Sequence, residues 1–204
     1  MSTPFIISPF THICNEILKI VIFPDRLKYA MVRPIYKKGS HQEISNYRPV
    51  SLLTFCSKIV KRIMFNRLSS HLEINSILAK EQFRFRPNAS TEQAAYIMTN
   101  GILTALNDKL MVGGIFCDLH NAFDWLNHEI LIKKIKYYGI QGKFNALIES
   151  YLQGRYKKLI LGNYDDNNKA SNWKLIENGV PQGSVLGYPI SFLNIYKWLA
   201  KDIK

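Results

Sequence analysis

The sequence predicts an α+β fold, and three observations carry that reading. Apolar residues recur at helical spacing over several long stretches. Short strand-like runs stand isolated between them, and glycine- or proline-bearing turns mark most of the changes. The 204 residues are also 47% hydrophobic, enough to bury a core as one or two modest domains and too apolar for a chain disordered by composition.

A short apolar helix opens the chain. Its continuation ILKIVIF at 17–23 is interrupted by Lys19 and falls well short of membrane-spanning length. AMVRPIY at 30–36 has strand character, and Lys37, Lys38 and Gly39 form its basic exit turn. NYRPVS follows, with Pro49 and Ser51 expected at a helix start. From Leu52 to Leu72 the residues Cys56, Ile59, Val60, Ile63, Met64 and Leu68 fall at helical spacing. Lys58, Lys61, Arg62 and Arg67 occupy much of the remaining circumference, expected as a solvated face. A basic amphipathic helix can lie on a membrane, but a globular helix with one solvated face is commoner.

FRFRPNASTEQ at 83–93 reads as a loop ending in a capping box, Ser90 with Gln93, and a helix then runs through Ile97, Ile102 and Leu106. GGIFCDLHNAFDWLNH at 113–128 begins as an apolar strand, expected to be buried, that reaches Asp118. Asn127 caps a helix carrying Leu131, Ile135 and Tyr138, closed by Gly139. Another helix, with Phe144, Leu147, Ile148 and Tyr151, ends at Gly154. KKLILGN and SNWKLIE form two strands joined by the polar loop YDDNNKA. ENGVPQGSVLG at 177–187 packs two glycines and a proline around Gln182, with Ser184 able to cap a following helix.

The chain is strongly basic. Lys and Arg number 27 against 15 Asp and Glu, a net charge of +12, with +8 in residues 1–112 and +4 in 113–204. Such a charge on a folded chain points to a polyanion, either nucleic acid or an anionic membrane surface. Cys14, Cys56 and Cys117 share no metal-ligand spacing and read as reduced, mostly buried thiols of an intracellular protein, nuclear or cytoplasmic. No secretory signal is visible, so the protein is expected not to be secreted.

Asp118 poses a chemical question. A carboxylate at the end of a buried strand is costly unless a metal ion or an arginine sits against it. Two other acidic patterns are decoys. His120, Asp124 and His128 stand at helical spacing for zinc, but a strand-to-helix turn between Asp118 and Asp124 would leave that spacing unrealised. Asn163, Tyr164, Asp165 and Asp166 read as a solvated loop within a run of Asn and Lys.

The segments FPDRLKYAMVRPIYKKG, NYRPVSLL, EQFRFRPNASTEQA, GIFCDLHNAFDWLNH, YGIQGK, SYLQGR and NGVPQGSVLG occur in an order that resembles reverse transcriptases of non-LTR retrotransposons, nearest to the jockey-like, LINE-type elements. The resemblance covers about residues 20–195. It implies right-hand polymerase fingers with a partial palm. Residues 1–19 would be an N-terminal extension, 20–111 and 130–178 fingers, and 112–129 and 179–204 palm.

The implied activity is RNA-directed DNA polymerisation from dNTPs on an RNA template and DNA primer, with two Mg²⁺ ions in the complete enzyme. Asp118 would be a metal ligand and catalytic carboxylate, with the Leu119 carbonyl in support. Phe123 would be the aromatic gate against a 2′-hydroxyl, and Gln182 would touch the nascent base pair. Arg48 would grip the triphosphate, with Lys37 and Lys38 as further candidates.

The Tyr-x-Asp-Asp hairpin of such polymerases follows the Pro-Gln-Gly turn, whereas Asn163-Tyr164-Asp165-Asp166 precedes it. The sequence also carries Arg84 where the family usually has Gly, Asn121 where Lys is common, and an additional Tyr188 before Pro189. The expectation is a polymerase fragment inactive by itself, or a non-catalytic basic nucleic-acid-binding remnant of one. No membrane partner is expected.

Overall fold

The computed structural model describes residues 3–79, 81–83, 86, 88–116, 124, 126–161, 169–181 and 186. Among these residues, five α-helices and the four strands of one sheet follow one another along the chain. They are α1 (Thr3–Ile20), β1 (Tyr29–Tyr36), β2 (Tyr47–Leu52), α2 (Phe55–Ile74), α3 (Thr91–Asn107), α4 (His128–Tyr137), α5 (Gly142–Leu152), β3 (Arg155–Leu159) and β4 (Lys174–Ile176). The mixed composition of helix and sheet agrees with the α+β reading.

Helix ends follow local chemistry. Ser90 and Gln93 form both halves of the capping box at α3. The Asn127 side chain accepts from the Ile130 amide to open α4. Gly139 (φ 82°) lies just past the α4 C-cap, and Gly154 (φ 64°) closes the turn after α5.

The core is helical. Cys14 and Ile17 of α1, Val60, Met64, Leu68 and Leu72 of α2, Leu131 and Ile135 of α4, and Leu147, Ile148 and Tyr151 of α5 pack together. The sheet lies in the order β2-β1-β3-β4, antiparallel except for the parallel β1–β3 pair.

Several expectations are corrected. Residues around Pro49 and Ser51 form strand β2, paired with β1 from Met31↔Leu52 to Tyr36↔Tyr47, and not a helix start. Proline is acceptable there because β2 is an edge strand, and Pro49 lies opposite Pro34, beyond the β3 register. Helix α2 begins three residues after β2 behind Thr54, whose side chain accepts from the Ser57 amide. The Thr54–Ser57 spacing was the available signal.

On α2, Lys61 is buried and Cys56 is exposed, the reverse of the expected faces. Ser57, Lys61, Met64, Leu68 and Leu72 form one stripe at steps of three and four, so Lys61 turns inward with its neighbours. The expected buried strand from 113 shows no ladder over 113–116, where Ile115 is 92% exposed. A strand needs a pairing partner, and none borders this stretch among the described residues. Helix α3 likewise has no buried residue.

Candidate nucleic-acid and nucleotide site

Two segments far apart in sequence are joined at one point. The Gly179 amide donates to the Leu126 carbonyl at 2.8 Å, and Asn127 and Asn178 form an antiparallel bridge. The His128 Nε2 atom lies 2.7 Å from the Gly179 carbonyl oxygen, so Nε2 carries the proton and donates. Leu126, Val180 and Leu186 are buried in the core and anchor both segments from below. The 126–128 and 178–181 segments therefore lie side by side.

A cleft of about 280 Å³ opens over this joint. Its floor is one face of the sheet, with Val32 of β1, Pro49 and Ser51 of β2, Lys157 and Leu159 of β3, and Lys174 and Ile176 of β4. Asp124 and residues 178–181 complete the wall. Lys157 and Lys174 stand directly opposite each other across the β3–β4 ladder. Like charges in that arrangement repel, so the pair raises the positive potential of the cleft. Sequence reading missed these lysines, because only the register brings them together.

The hairpin between β1 and β2 presents Lys37 and Lys38, both exposed. It is held by side chains as well as backbone. Tyr36 stacks on His41 with centroids 3.9 Å apart, and its hydroxyl donates to the Gly39 carbonyl at 2.6 Å. The Tyr47 hydroxyl donates to the His41 carbonyl, the Asn46 side-chain amide to the Ser40 carbonyl, and the Lys37 amide to the Asn46 carbonyl.

Arg48 is exposed and pairs with Ile35, so alternation places it on the sheet face opposite Pro49 and Ser51. The two faces thus divide the predicted basic residue from the cleft. Asp118, Leu119, Phe123 and Gln182 lie outside the described residues, as do His120, Asp165 and Asp166.

Among the described residues no three His, Cys, Asp or Glu side chains gather as metal ligands, so they do not by themselves form a metal site. The His128 Nε2 contact with Gly179 also leaves that nitrogen committed, against the zinc pattern. No described helix is long and apolar enough to cross a membrane.

A second cationic group lies beneath the site. Lys61 and Arg155 are both buried beside Tyr151, at 5.5 and 4.7 Å from its ring centroid. Arg155 Nη1 donates to the Tyr151 carbonyl at the end of α5, a favourable place for a cation. Lys61 Nζ, Asn145 Nδ2 and Arg155 Nε and Nη2 meet no hydrogen-bond acceptor among the described residues. Burial first, then the charges of Arg155 and Lys58, push the Lys61 amine down to about 6.

A mixed sheet that carries the Lys37–Lys38 hairpin and the facing Lys157–Lys174 pair presents positive charge suited to a polyanionic ligand. Residues 35–204 match the reverse transcriptase (RNA-dependent DNA polymerase) family, and the chain belongs to that family. It is 36% identical over 182 residues to the "Probable RNA-directed DNA polymerase from transposon BS" of Drosophila melanogaster. It is 34% identical over 176 residues to the RNA-directed DNA polymerase from mobile element jockey of Drosophila funebris. In each case 86% of this chain is covered, and the chain spans 19% of the relative's length.

Proposed function

We propose that this chain is part of an RNA-directed DNA polymerase of a non-LTR retrotransposon, extending a DNA primer on an RNA template with dNTPs. Family membership supports the reaction class. The joint between the 126–128 and 178–181 segments is the single structural observation that supports the reading best. It brings together the flanks of the two segments that carry Asp118, Phe123 and Gln182, which would act on one nucleotide.

In this reading 20–111 and 130–178 are fingers, and 112–129 and 179–204 belong to the palm. Asp118 and the Leu119 carbonyl are the proposed ligands of Mg²⁺, which when bound supplies charge to activate the primer hydroxyl and neutralise the departing pyrophosphate. Phe123 crowds the 2′-position of the incoming sugar, and Gln182 lies against the nascent pair. Arg48 binds triphosphate oxygens around the open edge of β2, because its strand face lies opposite the cleft, with Lys37 and Lys38 adding charge from the hairpin. The protein acts inside the cell, in nucleus or cytoplasm.

The test uses the 204 residues and a longer polypeptide of the relatives' extent. The 204-residue chain should bind RNA with an affinity that falls steeply with salt, by a log–log slope of ~0.7–0.9 per neutralised phosphate. It should add no nucleotides, because one carboxylate cannot hold two metal ions for in-line displacement. The longer polypeptide should extend primers, and Asp118→Asn should abolish extension while sparing primer–template binding. Persistent extension in the Asn variant would remove Asp118 from the mechanism. A folded chain without salt-sensitive RNA binding would sink the nucleic-acid reading altogether.

A further inference from the structure

The face of the sheet turned away from the cleft carries a cluster with no part in the polymerase chemistry proposed for this chain. Tyr29 stacks on Tyr156 with centroids 5.3 Å apart and planes 13° from parallel. Trp173 meets Tyr29 edge-on at 5.0 Å, and the Lys158 amine lies 5.1 Å from the Trp173 ring centroid. Register explains the grouping, since Tyr29↔Tyr156 and Met31↔Lys158 are neighbours across the parallel pair. Tyr29 and Trp173 remain 43% and 42% exposed, a large aromatic surface for solvent to cover. Alternation along β1 and β2 puts Arg33 and Arg48 on this same face, so rings at one end lead to guanidinium groups at the other. Tyr29 to Ile35, which pairs with Arg48, is six residues of strand, roughly 20 Å.

From these contacts we infer that Tyr29, Tyr156 and Trp173, with Lys158, form a stacking platform for an unpaired stretch of the RNA template, leading it along the sheet toward Arg48. Flat rings take bases of any sequence, and interleaved cations take phosphates, the combination that binds single strands. A chain of charge +12 complements a polyanionic strand better than a folded protein ligand. A duplex hides its base faces and gains nothing from rings. The inference rests on the polymerase reading for the identity of the strand, while the platform itself stands on the sheet register.

The test measures binding of the full 204-residue chain to a short oligo(U) RNA and to a blunt RNA duplex. Trp173→Ala should weaken oligo(U) about tenfold and leave the duplex nearly unchanged, with Trp173→Phe restoring most of the loss. Lys158→Gln should lower the log–log salt slope for oligo(U) by about 0.7. If Trp173→Ala proves unstable in urea, a chain carrying Trp125→Phe and Trp198→Phe reports Trp173 alone, and oligo(U) should quench its emission. Unchanged oligo(U) affinity in a stable Trp173→Ala variant, an equal loss on duplex, or unquenched Trp173 emission would overturn the platform while leaving RNA binding elsewhere intact. A parent chain that binds no RNA would overturn both this inference and the polymerase reading.

Discussion

His128 and Gly179 are 51 positions apart in sequence and meet at 2.7 Å, ring nitrogen to carbonyl oxygen. That contact, beside the Leu126–Gly179 hydrogen bond, clamps the start of α4 to the 178–181 segment. Among the described residues, one isolated bridge is the only sheet pairing that holds these segments there.

The clamp has a measurable cost of removal. His128→Ala leaves the carbonyl of buried Gly179 without its ring donor and should destabilise the chain by about 1 kcal/mol. Urea unfolding reads this directly. A variant as stable as the parent would mean that solvent replaces the imidazole without loss.

Lys61 makes stability depend on pH in an unusual sense. Its amine titrates near 6 in the folded chain but near 10.5 once unfolded, so between these values the unfolded chain binds the extra proton. Stability should therefore rise with pH across that window, at up to ~1.4 kcal/mol per pH unit. Below about pH 6 the full penalty is present, and above about pH 10 it is gone. Urea midpoints over mildly acidic to alkaline pH test the slope.

Removing the buried amine should help. Lys61→Met keeps the length of the side chain and removes the cost of losing its proton on folding, so it should raise the neutral-pH midpoint and flatten the profile. Lys61→Glu should stabilise too if its carboxylate reaches the Arg155 donors that now lack an acceptor among the described residues. A destabilised Met variant would show that the amine packs better than its charge suggests.

The hairpin carrying Lys37 and Lys38 depends on Gly39. With φ at 95°, an added Cβ would sit 2.5 Å from Asn46 Nδ2, which donates to the Ser40 carbonyl and the Glu43 carboxylate. Gly39→Ala should cost about 1–3 kcal/mol and expose the 37–46 loop to limited proteolysis. An unchanged cleavage pattern would indicate that the aromatic contacts alone hold the loop.

Phe123 carries the proposed sugar selection. In the longer polypeptide, Phe123→Val should raise the ratio of rNTP to dNTP incorporation, since it removes a steric block and adds no contact. An unaltered ratio would make Phe123 a packing residue.

Local chemistry was legible in the sequence. Ser90, Asn127, Gly139 and Gly154 set helix ends through contacts with residues only a few positions away, and the structure places those ends as expected. Family membership was legible too, because NYRPV, NGVPQG and their companions hold a fixed chain order that the match over 35–204 reproduces. What a residue faces was another matter. Tyr47–Leu52 became a strand because β1 offers an antiparallel partner, and Lys61 turned inward because Val60, Met64 and Leu68 had to. Lys157 met Lys174, and Tyr29 met Tyr156, only through strand register. Capping is settled within one turn of chain, whereas pairing and burial are settled by segments tens of residues away, which tertiary packing alone brings into contact.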